Sequence, residues 1–311
     1  MLLWSVFSQI LLPILVLTGC GWVLDRVFRL ELGTLVKLNF YLFVPCFLFH
    51  EVVRSSLQAG FAVRVMVFTG CILASMFLLS AVVARVAGYE RAQRRALQLA
   101  TMFYNSGNYG VPLMALAFPT TGPVLQVFVV LTQNIGMFTV GLFLASESGQ
   151  TGWRSVLPML KQISPWTVVL ALGVRAYGVP VMEWRWFWVP VEYIHNGLVG
   201  FALVTLGVQL SQTRVRQNVK HLSWALGVRL LGGPVVAALL CGSFGFRGEE
   251  AVVMIISAAF PTAVNTALLA HEFKADSDFA AAVVFYSTLA SMFTVTCLIA
   301  VLRLPEIVAM F

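Results

Sequence analysis

The stretch NSGNYGVP, residues 105–112, lies inside LQLATMFYNSGNYGVPLMALAF, residues 97–118, a run otherwise apolar enough to cross a membrane. Two asparagines, two glycines and a proline release backbone groups that hydrocarbon cannot hydrogen-bond, so they should not sit in mid-helix without compensation. The rest of the chain says that the surroundings are hydrocarbon. Of 311 residues, 59% are hydrophobic and 11% charged, with a mean hydropathy of +0.89; a soluble domain carries about 25% charged residues. Spans of about 20 apolar residues fit ten times, at 2–24, 35–53, 61–87, 96–118, 121–146, 164–180, 190–211, 222–245, 251–272 and 278–302. The expectation is an all-α membrane protein with ten transmembrane helices. The first run lacks a basic residue before it and an evident small-residue cleavage site after it, so it reads as a retained helix and not a signal peptide.

Charge supplies the topology. The net charge of +7 is spread through loops and gives no nucleic-acid patch. Odd-numbered loops and their helix ends hold 13 of the 20 lysines and arginines, and the face with both termini holds 6. Positive charge accumulates on the cytoplasmic side, which places both termini on the other side. Arg229, inside the eighth span, is expected to snorkel towards the basic face. The five cysteines are scattered without metal-ligand spacing, and no HExxH or nucleophile–base motif suggests an enzyme. No metal or cofactor is implied.

Residues 147–163 form the longest cytoplasmic connection and divide ten spans into five plus five. Five is odd, so the second half enters the membrane in the opposite sense and the two halves become inverted repeats. The ninth span, VVMIISAAFPTAVNTALLA at 252–270, is interrupted as the fourth is. The span midpoints are 107 and the 261/262 bond, so both breaks lie near the bilayer centre. Paired interruptions in inverted halves point to a transporter site. Pro112 and Pro261 are suited to the first turn of a second half-helix, with Asn108 or Gly110 as cap for the first. Two partly positive N-terminal ends then face one cavity and suit an anion, with Asn105, Asn108, Asn265 and Thr262 as further donors. Gln133 and Asn134 in the fifth span, with Ser287, Thr288 and Ser291 in the tenth, are candidates for the same cavity or for a cation. Every Asp and Glu falls in a loop or near a span end, which leaves His50, Glu51 and His195 as candidates for proton coupling.

NSGNYGVPL at 105–113 and FPTAVNTALLAHEF at 260–273 resemble the auxin efflux carrier family, which includes plant PIN-FORMED carriers and bacterial permeases for malate-like acids. LPILVLTGCGWVLDR at 12–26 and LNFYLFVPCFLFHEVV at 38–53 extend the resemblance along the chain. It implies crossed fourth and ninth helices, as in bile acid sodium symporters. It further implies a scaffold of residues 1–60 and 164–212, and a moving transport domain of residues 61–146 and 222–302. The family's crossover site falls on Asn105, Asn108, Gly110, Pro112, Pro261, Thr262 and Asn265. The expected activity is secondary transport of a small organic anion by an elevator-like shift, in a bacterial inner membrane, with a homodimer through the scaffold. Coupling to Na⁺ or H⁺, a sodium symporter of the bile acid type and a receptor without transport remain the alternatives.

Overall fold

The computed structural model describes residues 2–55, 59–145, 163–213, 219–272 and 275–304. The connection expected at 147–163 lies outside the described residues, except for its last. The chain is a succession of helices: α1 (Trp4–Phe28), α2 (Leu32–Arg54), α3 (Ala59–Val86), α4 (Arg91–Met102), α5 (Val111–Ala117), α6 (Gly122–Ala145), α7 (Ile163–Ala176), α8 (Arg185–Gln212), α9 (Val219–Phe244), α10 (Gly248–Ala258), α11 (Asn265–Glu272) and α12 (Ser277–Leu302). Six of them are long and apolar enough to cross a membrane: α1, α2, α3, α8, α9 and α12. The fourth and ninth expected spans are each two short helices, α4 with α5 and α10 with α11. Among the described residues there is no strand, only an isolated antiparallel bridge between Tyr104 and Thr262.

Four wide, π-type turns interrupt this helical set, at Phe7–Leu11, Asn39–Phe43, Ser106–Gly110 and Val228–Gly232. Each begins six residues before a proline: Pro13, Pro45, Pro112 and Pro234. The cause is steric. A proline within a helix has no N–H and its ring collides with the carbonyl four residues back. A turn that bonds five residues back swings that carbonyl aside. Accordingly, the residue before the proline donates five residues back, from Leu12 to Phe7, Val44 to Asn39 and Val111 to Ser106.

Packing divides the helices into two sets. In one set, α1 lies along α8, and α2 packs on both α7 and α8. The α1–α8 contact is backbone to backbone: a Cβ on Gly21 would stand 2.0 Å from the Val204 carbonyl oxygen, and one on Gly207 1.9 Å from that of Thr18. Small residues allow such approach between apolar helices, where dispersion and not hydrophobicity drives association. The seam ends in a polar cluster in which buried Asp25 accepts from the Ser211 hydroxyl and, at 2.7 Å, from the Gln212 amide. In the other set α3 packs on α4 and α6, α9 on α10, and α12 on α4 and α11. The helix breaks lie within this second set and face α2 and α8 of the first.

Candidate functional site

The two breaks solve each other's hydrogen-bonding problem. The Asn105 N–H donates to the Pro261 carbonyl at 2.8 Å, and the Ala263 N–H to the Phe103 carbonyl at 2.9 Å. The bridge residues themselves turn outward: the Tyr104 N–H donates to Gln133 Oε1 at 3.3 Å, and the Thr262 N–H to Ser287 Oγ at 3.0 Å. An unmet backbone group in hydrocarbon costs several kcal/mol, so this pairing is what lets both chains leave the helix at once. Gly110 permits the approach, since a Cβ there would lie 2.3 Å from the buried Phe260 ring.

The helices restart differently from the sequence expectation. The first restarts at Ser106, with Asn105 as its cap: Asn105 Oδ1 accepts from the Asn108 N–H at 3.1 Å. Asn108 is not a cap, and Gly110 precedes α5 without a side-chain bond to it. Pro112 follows the wide turn, at the second position of α5. Pro261 starts no helix, because residues 261–263 are extended to pair with 103–105, and α11 begins only at Asn265.

Arg229 corrects another expectation. It does not snorkel: it is fully buried and donates to the carbonyls of Thr101 and Ala258. These lie in the last turns of α4 and α10, where unpaired carbonyls concentrate partial negative charge. The guanidinium also sits 5.0 Å from the centre of the Tyr104 ring. One cation therefore serves the C-terminal ends of both interrupted helices. Thr262 Oγ1 adds a bond to the Ala100 carbonyl at 2.7 Å.

On the other side of the bridge, the N-terminal ends border a cavity of about 40 Å³. Asn105, Ser106, Gly107 and Asn108 form one wall and Ala263, Val264 and Asn265 another, with Gln133 and Asn134 from α6. Val36, Phe40 and Val44 of α2 close it. Three buried amide nitrogens of residues on this lining, those of Asn105, Gln133 and Asn134, have no partner among the described residues. Two larger cavities adjoin it through Val36 and Asn265. One, of about 200 Å³, includes Lys37, Tyr41 and Ser164. The other, of about 310 Å³, is mostly aliphatic and runs past Gln209 and Thr213 to the beginning of α2.

Residues 6–162 and 155–299 match the family described as membrane transport protein. The chain belongs to that family. It is the auxin efflux carrier group to which the broken-helix motifs were matched above, a family of transporters and not of enzymes. A curated relative, described as an uncharacterized transporter of Methanothermobacter thermautotrophicus, is 25% identical over 290 residues, or 92% of this chain and 95% of its own. The protein is an integral membrane transport protein, with the apolar helices that such a role demands.

In this membrane transport protein the structure brings Asn105, Asn108, Asn265, Gln133 and Asn134 onto one cavity. Gly110, Pro261, Thr262 and Ser287 support the bridge instead of lining the cavity, Pro112 lies in α5, and Ser291 donates to the Thr288 carbonyl of its own helix. Asn39 was not singled out in the sequence, yet it is buried on α2 and its amide donates to Asn108 Oδ1, joining the two helix sets at the site. A lone asparagine in an apolar span, six residues before a proline, was the available signal. His50, Glu51 and His195 meet elsewhere, near the opposite end of α2. The His50 side chain there is only 4% exposed.

Proposed function

We propose that the protein is a secondary transporter of a small organic anion, whose carboxylate is held at the cavity beside the Tyr104–Thr262 bridge. One observation carries this reading. Asn105 Oδ1 is fixed by the Asn108 N–H, and Gln133 Oε1 by the Tyr104 N–H. The orientation of both amides follows from those bonds and not from a free choice of oxygen and nitrogen. Their unpartnered nitrogens are therefore donors on the cavity lining, and donors recognise an anion. A sodium ion would need oxygens there.

Size agrees with a head group. A cavity of about 40 Å³ matches one carboxylate, with the remainder of the ligand in the adjoining spaces. The aliphatic one suits an auxin-like apolar body, and the one with Lys37 suits a second polar group of a malate-like acid. Pseudo-symmetric support of the bridge, by Gln133 of α6 and Ser287 of α12, favours ten spans in two inverted repeats. The two packing sets favour a scaffold and a moving group, and hence an elevator-like shift. The density of basic residues in the odd-numbered loops favours termini outside the cytoplasm.

The test is uptake of labelled mono- and dicarboxylates into proteoliposomes. Wild type is expected to carry at least one of them. Asn134→Ala should weaken it about tenfold, the loss of one hydrogen bond to a charged group, and Asn134→Asp should abolish it by placing a carboxylate against the anion. A protein that neither binds nor carries any carboxylate, or an Asn134→Asp variant as active as wild type, overturns the reading.

A further inference from the structure

The end of α2 away from the cavities holds a cluster that anion recognition does not use. His50 and Glu51 of α2 face His195 of α8, 144 residues further along the chain. His195 Nε2 stands 2.8 Å from Glu51 Oε1, and His50 Nδ1 stands 3.2 Å from the same oxygen. The two imidazole rings stack with centroids 3.8 Å apart, and Trp188 and Phe47 cover their outer faces. Each of the three residues offers one ligand atom, all within 4.8 Å of one another. Side-chain exposures of 4% for His50, 14% for Glu51 and 19% for His195 leave the group sheltered but reachable from one side.

The contacts around the cluster suit a cation. Asn196 Oδ1 lies 3.1 Å from His195 Nδ1, while His195 Nε2 and His50 Nδ1 both face Glu51 Oε1. With the His195 hydrogen on Nδ1, the Nε2 lone pair faces the carboxylate and a cation belongs between them; with the hydrogen on Nε2, that N–H donates to Glu51. Two stacked imidazoles cannot both be charged at this separation without strong repulsion, so protons do not occupy both rings. A metal ion engages both rings. With zinc–ligand bonds of about 2.0–2.2 Å, tetrahedral ligand atoms stand roughly 3.3–3.5 Å apart. The observed 2.8 and 3.2 Å spacings are close to that, and the two rings turn out of their stack for their in-plane lone pairs to meet one ion. Two imidazoles and one carboxylate suit zinc-class ions, whereas Ca²⁺ and Mg²⁺ prefer oxygen-only shells. The Asn196 contact supplies the outer bond that usually orients a metal-ligating histidine.

We infer that His50, Glu51 and His195 form a site for one zinc-class divalent ion, clamping α2 to α8 at the end of the bundle opposite the transport cavities. The site lies within one packing set, so it ties helices that stay together.

The experiment uses the tag-free full-length chain in detergent, stripped with chelator, desalted and titrated with Co²⁺ alone and then Zn²⁺ alone. One equivalent of Co²⁺ should give the visible absorption of a tetrahedral nitrogen–oxygen site without a sulfur charge-transfer band. Zn²⁺ should displace it and raise the unfolding temperature, while Mg²⁺ and Ca²⁺ leave that temperature unchanged. Glu51→Gln and His195→Gln should each weaken Co²⁺ binding at least tenfold. Absence of stoichiometric Co²⁺ absorption in the wild type overturns the assignment whatever the variants do. A thiolate band moves the metal to the cysteines and overturns it as well, as do variants that bind like wild type. A wild-type stability that follows pH but not metal makes the cluster a proton site and also defeats the proposal.

Discussion

Arg229 is a full positive charge at membrane depth, and among the described residues no carboxylate pairs with it. Its counter-charges are the ends of two helices, through the Thr101 and Ala258 carbonyls. The consequence is a division of polarity across the bridge: negative helix ends gather on Arg229, and the positive ends gather at the cavity. Charge-assisted hydrogen bonds contribute about 1.5–3 kcal/mol each, against the cost of keeping a guanidinium dry. Arg229→Met removes both bonds and leaves two buried carbonyls unmet, so a net loss of about 2 kcal/mol is expected after the relief of cation burial. Thermal unfolding in detergent should show a fall of several degrees. Arg229→Lys should fall in between, because an ammonium is a point charge without the planar fork that spans two acceptors. A Met variant as stable as wild type would refute this role. Nothing in the sequence around Arg229 announced it, since its acceptors are 128 and 29 residues away, whereas the snorkelling rule considers only the helix on which a residue sits.

At the scale of elements, the prolines set the register of the site. Pro45 produces the wide turn that begins at Asn39, and Pro234 the one that contains Arg229. Each turn rotates the helix before it relative to the helix after it, by about 100° for one extra residue. Pro45→Ala restores an N–H and permits an ordinary α-turn, which should carry Asn39 off Asn108. The expected result is an unfolding temperature equal to or above wild type, with carboxylate uptake reduced at least tenfold. Equal uptake would show that the wide turn does not place Asn39. Several elements were legible from the sequence: six long apolar spans, the interruption of both the fourth and the ninth, and the asparagines at 105 and 108 that line a cavity. That the interruptions face one cavity followed from the inverted halves, but the backbone pairing between them had no signal in the sequence. Caps and wide turns escaped because hydropathy averages over about 20 residues, while a cap or a π-type turn is decided by one carbonyl. Pro261 looked like a helix start, but an extended partner at 103–105 offered its backbone more than an isolated first turn could.

Across the whole molecule, the three cavities described around the site lead towards one end of the bundle: the aliphatic space runs from Asn265 past Ala267 to Gln209, Thr213 and the beginning of α2. At the other end, Phe49, Trp188 and the His50–Glu51–His195 cluster fill the contact between α2 and α8. The side-chain hydrogen bond between the packing sets at the site is Asn39 to Asn108, beside apolar contacts of α8 with the wide turn at Ser106–Gly110 and with α5. Such a bond contributes about 1 kcal/mol, so it is a small barrier to the shift proposed above. In alternating access, then, Ala267 should change sides with the moving set. A single cysteine at that position, in a chain whose five native cysteines are replaced, reports this with membrane-impermeant thiol reagents on sealed vesicles. Without ligand, labelling should come from the side of the loop joining α1 to α2. With a transported carboxylate present, protection should appear on that side and labelling should rise from the other. A receptor that binds without moving would gain protection alone, with no labelling from the far side under any condition, and the elevator reading would then have to be abandoned while anion binding stood.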